Sequence, residues 1–185
     1  MEELRYQEED GTNEYRLDTV KCSDMPAVLR LRQDRMAMLR TPYLLTEEMQ
    51  AKFYDDVICN PYSGGRFWSV RMTEDHRDVS FAGLVGFVNI QWENRTGEIS
   101  CLLFNPREEM VADLVRVGFQ ELNFYTITGE VYECSPDFEF WKELLTRRKI
   151  PMIRHNDRKF WHGEWYDSYW FSIIAPWSVT PESFA

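Results

Sequence analysis

The stretch from Gly97 to Phe124, GEISCLLFNPREEMVADLVRVGFQELNF, is the one whose reading fixes the architecture. It reads as strand, very short turn, helix. Ile99, Cys101 and Leu103 alternate with Glu98, Ser100 and Leu102, as a strand requires. Val111, Leu114, Val115, Gly118, Phe119 and Leu122 then recur at helical spacing. Such a turn holds the free N–H groups of a helix's first turn just beyond a strand end, a natural seat for an anionic group.

On its N-terminal side, SFAGLVGFVNIQW (80–92) is a long apolar strand, and Glu93-Asn94-Arg95-Thr96-Gly97 signals a hairpin that pairs it antiparallel with the strand beginning at Glu98. RFWSVRM (66–72) is a further strand, joined to it by the polar TEDHRD and preceded by the turn NPYSGG. Before that, EEMQAKFYDDVIC (47–59) carries Met49, Phe53, Val57 and Ile58 as a helical stripe behind the cap Thr46. Arg40-Thr41-Pro42 separates it from MPAVLRLRQDRMAML (25–39), a helix with Asp24 as its cap and Val28, Leu29, Leu31, Met36 and Leu39 as its stripe. EYRLDTVKC (14–22) is a strand, and the acidic residues 1–13 read as a flexible N-terminus.

On the C-terminal side, YTITGEVYECS (125–135) is β-branched and aromatic. Asp137 is placed to cap the helix DFEFWKELLTRRK, and two strands around MIRHNDRKFWHG and SYWFSII end the domain. The expected organisation is a single domain over 14–174 with an irregular tail at 175–185. The order is β–α–α–β–β–β–α–β–α–β–β, a mixed α/β arrangement.

Composition narrows the function. Acidic residues outnumber basic ones 31 to 21, a formal charge of -10. Such a field disfavours nucleic acid and anionic lipid, and neither a nucleic-acid nor a membrane partner is expected. Cys22, Cys59, Cys101 and Cys134 are scattered without a CxxC pair, and His76, His155 and His162 lack ligand spacing, so no metal site is expected. The absence of a basic-then-apolar leader and of a long apolar run fits a reduced, cytoplasmic setting. Trp161, Trp165, Trp170 and Trp177 crowd the C-terminal end. They suggest a homo-oligomer or protein partner engaged through the aromatic terminal strands.

Element order and local phrases together resemble the GNAT superfamily of acetyl-CoA-dependent N-acetyltransferases, especially the branch acting on ribosomal-protein N-termini and nucleotide-linked amino sugars. LTEEMQAKFYDDVI is similar to that branch's second helix, AGLVGFVNIQWENRTGEIS to its hydrophobic-Gly hairpin ending in Glu-Ile, and FWHGEWYDSYWFSI to its final hairpin. The resemblance implies a central, mostly antiparallel sheet of about seven strands with helices on both faces. It also implies transfer of acetyl from acetyl-CoA to a primary amine of a small molecule, amino sugar or peptide.

The implied roles follow residue by residue. Glu98 matches a glutamate that serves as general base, directly or through water; a solvated hairpin-end carboxylate is the alternative. Cys101, Leu102 and Leu103 match the strand whose backbone amide polarises the thioester. Ser135, in the segment that often supplies a proton donor, and Tyr132 on the preceding strand are the candidate acids, with turn chemistry and packing as their plain alternatives. The family's pyrophosphate loop, Gln/Arg-x-x-Gly-x-Gly/Ala, is replaced by Asn105-Pro106-Arg107-Glu108-Glu109-Met110, which contains no glycine. Glycine-free backbone does not readily turn successive N–H groups onto a phosphate, and two glutamates repel one. Asn105 and Arg107 remain to bind the cofactor. Two readings therefore stand: an N-acetyltransferase with a nonstandard phosphate site, or a GNAT-like binding or assembly module, of a kind suited to phage or accessory genomes, that no longer binds acetyl-CoA.

Overall fold

The computed structural model of the 185-residue chain describes residues 5–7, 13–40, 44–74 and 78–175. Most of the expected flexible N-terminus, almost all of the tail with Trp177, and parts of the linkers at 41–43 and 75–77 lie outside them.

Among the described residues eight strands form one sheet: β1 (Arg5–Gln7), β2 (Asn13–Thr19), β3 (Arg66–Glu74), β4 (Asp78–Gln91), β5 (Thr96–Leu103), β6 (Thr126–Tyr132), β7 (Met152–Trp161) and β8 (Glu164–Ile174), in the order β1-β2-β3-β4-β5-β6-β8-β7. Neighbours run antiparallel except β5 and β6. The short β1, within the stretch read as flexible, pairs with β2 at the sheet's edge.

Helices cover both faces, as the sequence implied. Helix α1 (Met25–Asp34) and α2 (Glu47–Phe53, continuing as a π turn through Ile58) cover one face. There Val28 and Leu31 meet Leu84 of β4 and Leu102 of β5. Helix α3 (Glu108–Arg116, closing in a π turn to Glu121) and α4 (Phe138–Arg147) cover the other. Met110, Val111, Leu114, Trp141 and Leu145 pack there on Phe87, Ile99, Leu103 and Ile127. Because both faces are covered, Leu102 is buried although it sits on the polar side of the β5 alternation.

Several local readings change. Helix α1 ends at Asp34, and Met36–Met38 forms a separate 3-10 turn, so Met36 and Leu39 do not extend its stripe. On α2 Phe53 and Ile58 pack on the core, but the fully buried residue is Gln50, and Met49 is 42% exposed. Gln50 is held by Arg32 and the Met25 sulfur. Thr46 does cap α2, accepting from the Met49 N–H at 3.2 Å. Asp24 and Asp137 hold N-cap positions without capping through their side chains. Asp24 instead accepts from the Lys21 N–H, Ser69 and Arg71 at 2.7–2.9 Å, joining α1 to β3. Asp137 pairs with Arg35 at 2.5 Å, joining α4 to α1.

Candidate active site

The site is made by a parting of strands. Parallel pairing of β5 with β6 covers only Thr96–Glu98 against Thr126–Thr128. From Gly129 onward β6 follows β8, while β5 from Ile99 onward follows β4. The two strands splay, and backbone groups along the inner edge of β5 are left without a ladder partner. Between them lies a cavity of about 470 Å³, walled by Ile99–Leu102 and Glu130–Tyr132, roofed by Met38–Arg40 and floored by Trp141 and Phe171. Gly129 makes room for that floor, since a Cβ there would meet the Phe171 ring at 2.3 Å.

A polar cluster fills the end nearest Glu98. The Arg40 Nη2 lies 2.7 Å from Glu98 Oε1 and 2.9 Å from Glu130 Oε2. Its Nε donates to the same Glu130 oxygen at 3.1 Å, and the guanidinium stands 5.6 Å from the centroid of Trp170. The other Glu130 oxygen accepts from Trp170 Nε1 at 2.8 Å, and the Tyr132 hydroxyl donates to Glu130 at 3.2 Å. Asn89 Nδ2 donates to Glu98 Oε2 at 2.9 Å. Asn89 does so from a bulge, where the β4–β5 register shifts between Val88 and Gln91 and its own φ is 51°. Asparagine tolerates that left-handed geometry better than most residues.

Burial would lower the Arg40 guanidinium, but Glu98 and Glu130 outweigh it and hold Arg40 above its ordinary value. Burial, reinforced by Glu130, pushes the Tyr132 hydroxyl up to about 12, so it carries its proton at neutral pH. Burial likewise pushes the Cys101 thiol up to about 12, which removes it as a nucleophile.

Two further cations fix the roof. Lys159 Nζ, on a residue only 5% exposed, donates to the carbonyls of Met36, Ala37 and Leu39, and burial lowers its pKa. Arg35 joins Asp137 to the Phe104 carbonyl.

Glu98, Tyr132, Ser135, Cys101 and Leu102 all line the cavity. Leu103 does not; it is buried in the core beneath α3. The Ser135 oxygen accepts from the Asp137 N–H at 3.2 Å, the turn chemistry weighed for it from sequence. Asn105 and Arg107 sit beyond the cavity, in the turn from β5 to α3. No residue from Phe104 to Arg107 has a positive φ, so the turn forms no glycine-type anion nest. Arg107, the α3 N-cap, stacks on the Tyr15 ring at 4.9 Å. Glu108 turns to α4, 2.9 Å from Arg147 and 2.6 Å from Arg148. Behind this contact an apolar groove of about 330 Å³ runs between α3 and α4, and Trp141 lines both it and the splay cavity.

Sequence reading missed Glu130, Asn89, Trp170 and Arg40 as site residues. Glu130 had a signal, a charge on the same face as Thr128 and Tyr132 in an otherwise β-branched and aromatic strand. Asn89 was the one polar interruption in GLVGFVNI. Arg40 had none, because an irregular connection places it. Among the described residues no group of three or more His, Cys, Asp or Glu is arranged to hold a metal ion, and no helix is long and apolar enough to cross a membrane.

The overall fold is shared with solved structures. A Vibrio cholerae spermidine N-acetyltransferase in complex with CoA and spermine superposes with a TM-score of 0.71 at 16% identity, over 86% of this chain and 95% of that one. The ribosomal L7/L12 α-N-protein acetyltransferase RimL, in complex with coenzyme A, superposes with a TM-score of 0.67 at 16% identity, over 88% and 94%. The chain has the GNAT fold. No protein-family model and no curated protein matches the sequence. At these identities the likeness shows the GNAT fold alone. Its splayed strands are β5 and β6, and the turn entering its α3 is the glycine-free one.

Proposed function

We propose that this protein is an N-acetyltransferase that takes acetyl from acetyl-CoA and delivers it to a primary amine. The splay of β5 from β6 carries the reading, because it leaves a narrow cavity with unpaired backbone donors along one wall and a carboxylate cluster at one end. Acetyl-CoA, when bound, supplies the acetyl group as a thioester. Its thioester arm fits the cleft walls, which are apolar at Ile99, Val131 and Phe171. The pyrophosphate fits less well. Among the described residues, only the first-turn amides of α3 and the side chains of Arg107, Arg147 and Arg148 are placed to hold it, and the two α4 arginines would have to leave Glu108.

Within that scheme Glu98 accepts the proton of the incoming ammonium, directly or through water, with its carboxylate oriented by Asn89. Backbone N–H groups of β5, between Cys101 and Leu103, polarise the carbonyl. Tyr132, which keeps its proton at neutral pH, provides the one the departing thiolate needs, and Ser135 is the second donor in reach of the cavity.

Titration calorimetry with acetyl-CoA tests this reading. Saturable micromolar binding that weakens in Arg107→Glu is expected; no binding at millimolar acetyl-CoA would sink it. A second reading has its own observation, namely the Glu108 contacts to Arg147 and Arg148 at the glycine-free turn. On that reading the fold is a binding module, and the same titration gives no heat. On either reading we propose that the exposed aromatic hairpin of β7 and β8 is where copies of the chain or a protein partner associate.

A further inference from the structure

Among the described residues Arg40 lines the splay cavity while Lys159 and Arg35 lie behind its walls, and the three cations are held differently. Lys159 and Arg35 are mostly buried and spend hydrogen bonds on backbone carbonyls of the roof and the β5 end. The Arg40 side chain is 42% exposed, and its guanidinium contacts are two carboxylates and the Trp170 ring. Nothing in that set is peculiar to a residue of this chain. A guanidinium from solution would find the same partners.

The receiving groups are built independently of Arg40. Glu130, whose side chain is 5% exposed, is oriented by Trp170 Nε1 on one oxygen and the Tyr132 hydroxyl on the other. Glu98 is oriented by Asn89 from its bulge. Resting on the acetyltransferase reading of the same cavity, we propose that Arg40 is a displaceable internal stand-in for the acceptor's cationic end, and that the acceptor is an aliphatic amine bearing a guanidinium-like head group.

Charge sets the class. If Arg40 withdraws with nothing in its place, two carboxylates lose their counter-charge, and a buried carboxylate does not tolerate that. Whatever displaces Arg40 must therefore itself be a cation. Arg40 shows which geometry the site accepts. One Nη bridges the two carboxylates, Nε adds a second bond to Glu130, and the planar group stands over an indole. A guanidinium reproduces that fork and an ammonium does not. The reacting nitrogen is a separate one, since it has to lie free along Ser100–Leu102, farther down the same cavity. A guanidinium joined to a primary amine by a short alkyl chain meets both requirements. Neutral and anionic acceptors meet neither.

The test is titration calorimetry of the full chain, without acetyl-CoA, using agmatine and 1,4-diaminobutane as probes. Arg40→Ala should bind agmatine about tenfold more tightly than the wild type, because no side chain competes. Glu130→Gln should bind it about tenfold more weakly, and agmatine should be preferred to 1,4-diaminobutane in the wild type. Arg40→Lys, which keeps a positive charge but loses the fork, should also bind agmatine more tightly than the wild type and guards against misfolding of the alanine variant. Equal or weaker agmatine binding by both Arg40 variants would overturn the stand-in role. Equal binding of the two probes would overturn the head-group assignment. These outcomes are separable from failure of the acetyltransferase reading, which would show as absent acetyl-CoA binding while the agmatine series behaves as stated.

Discussion

Asp24 shows how one buried carboxylate replaces a helix cap with a tertiary contact. Burial would raise its pKa, but the Lys21 N–H, Ser69 and Arg71 together hold it below the ordinary 3.8. A depressed folded-state pKa contributes stability that is complete above the unfolded value and is lost as pH falls through the folded one. In urea unfolding at pH 7, Asp24→Asn should cost about 3 kcal/mol, since it leaves the buried Arg71 with only its longer contact to Asp18 at 3.9 Å. The gap between variant and wild type should narrow as pH drops below 3.8; a gap independent of pH would show that Asp24 acts by packing alone. Glu98 belongs to the chemistry instead. Glu98→Gln keeps the shape and the Asn89 contact but removes the proton acceptor. Steady-state kinetics should then show kcat falling about a hundredfold with little change in acetyl-CoA affinity. Unchanged kcat would take Glu98 out of the base role.

Elements place these residues, and what was legible in the sequence follows from how each element is made. The long apolar strand β4, the hairpin to β5 and the helix α3 were readable because period and turn chemistry are local. The hairpin's left-handed residue is Arg95, and the missing side chain of Gly97 admits the Phe124 ring. Of the residues lining the cavity, Glu98, Cys101 and Tyr132 were legible through their strands and Ser135 through the turn after β6. The roof was not, because the connection after α1 has no period and is held by a lysine some 120 positions away. Lys159→Met removes that hold while preserving the stem, and should cost about 2 kcal/mol through the unpaired carbonyls. Hydrogen exchange should quicken at Met36–Arg40 and stay unchanged in α3 and α4. Uniform quickening throughout the sheet would mean that Lys159 supports the core and not the roof in particular.

At the scale of the molecule, one end of the sheet is open among the described residues. β7 is the outermost strand, exposed from Ile153 to Arg158, and at the hairpin tip Phe160 and Trp165 pair at 5.4 Å while remaining 55% and 61% exposed. An unpaired strand edge beside exposed aromatics is the combination that drives association of β-sheets. The surface is coupled to the site through one strand. Phe160 points outward, while its neighbour Lys159 reaches in to the roof carbonyls, so contacts that hold β7 also hold the roof. Sedimentation equilibrium should therefore show concentration-dependent association of the wild type, lost when Phe160 and Trp165 are both replaced by glutamate. Because both side chains are exposed, the monomer's thermal midpoint should move little, on the order of 0.5 kcal/mol per site in stability. In the double variant the roof carbonyls lose the support that association gave, and exchange at Met36–Arg40 should quicken in the same sample. A wild type that stays monomeric at every concentration would remove the hairpin as an interface, and association undiminished in the double variant would move the contact elsewhere on the molecule.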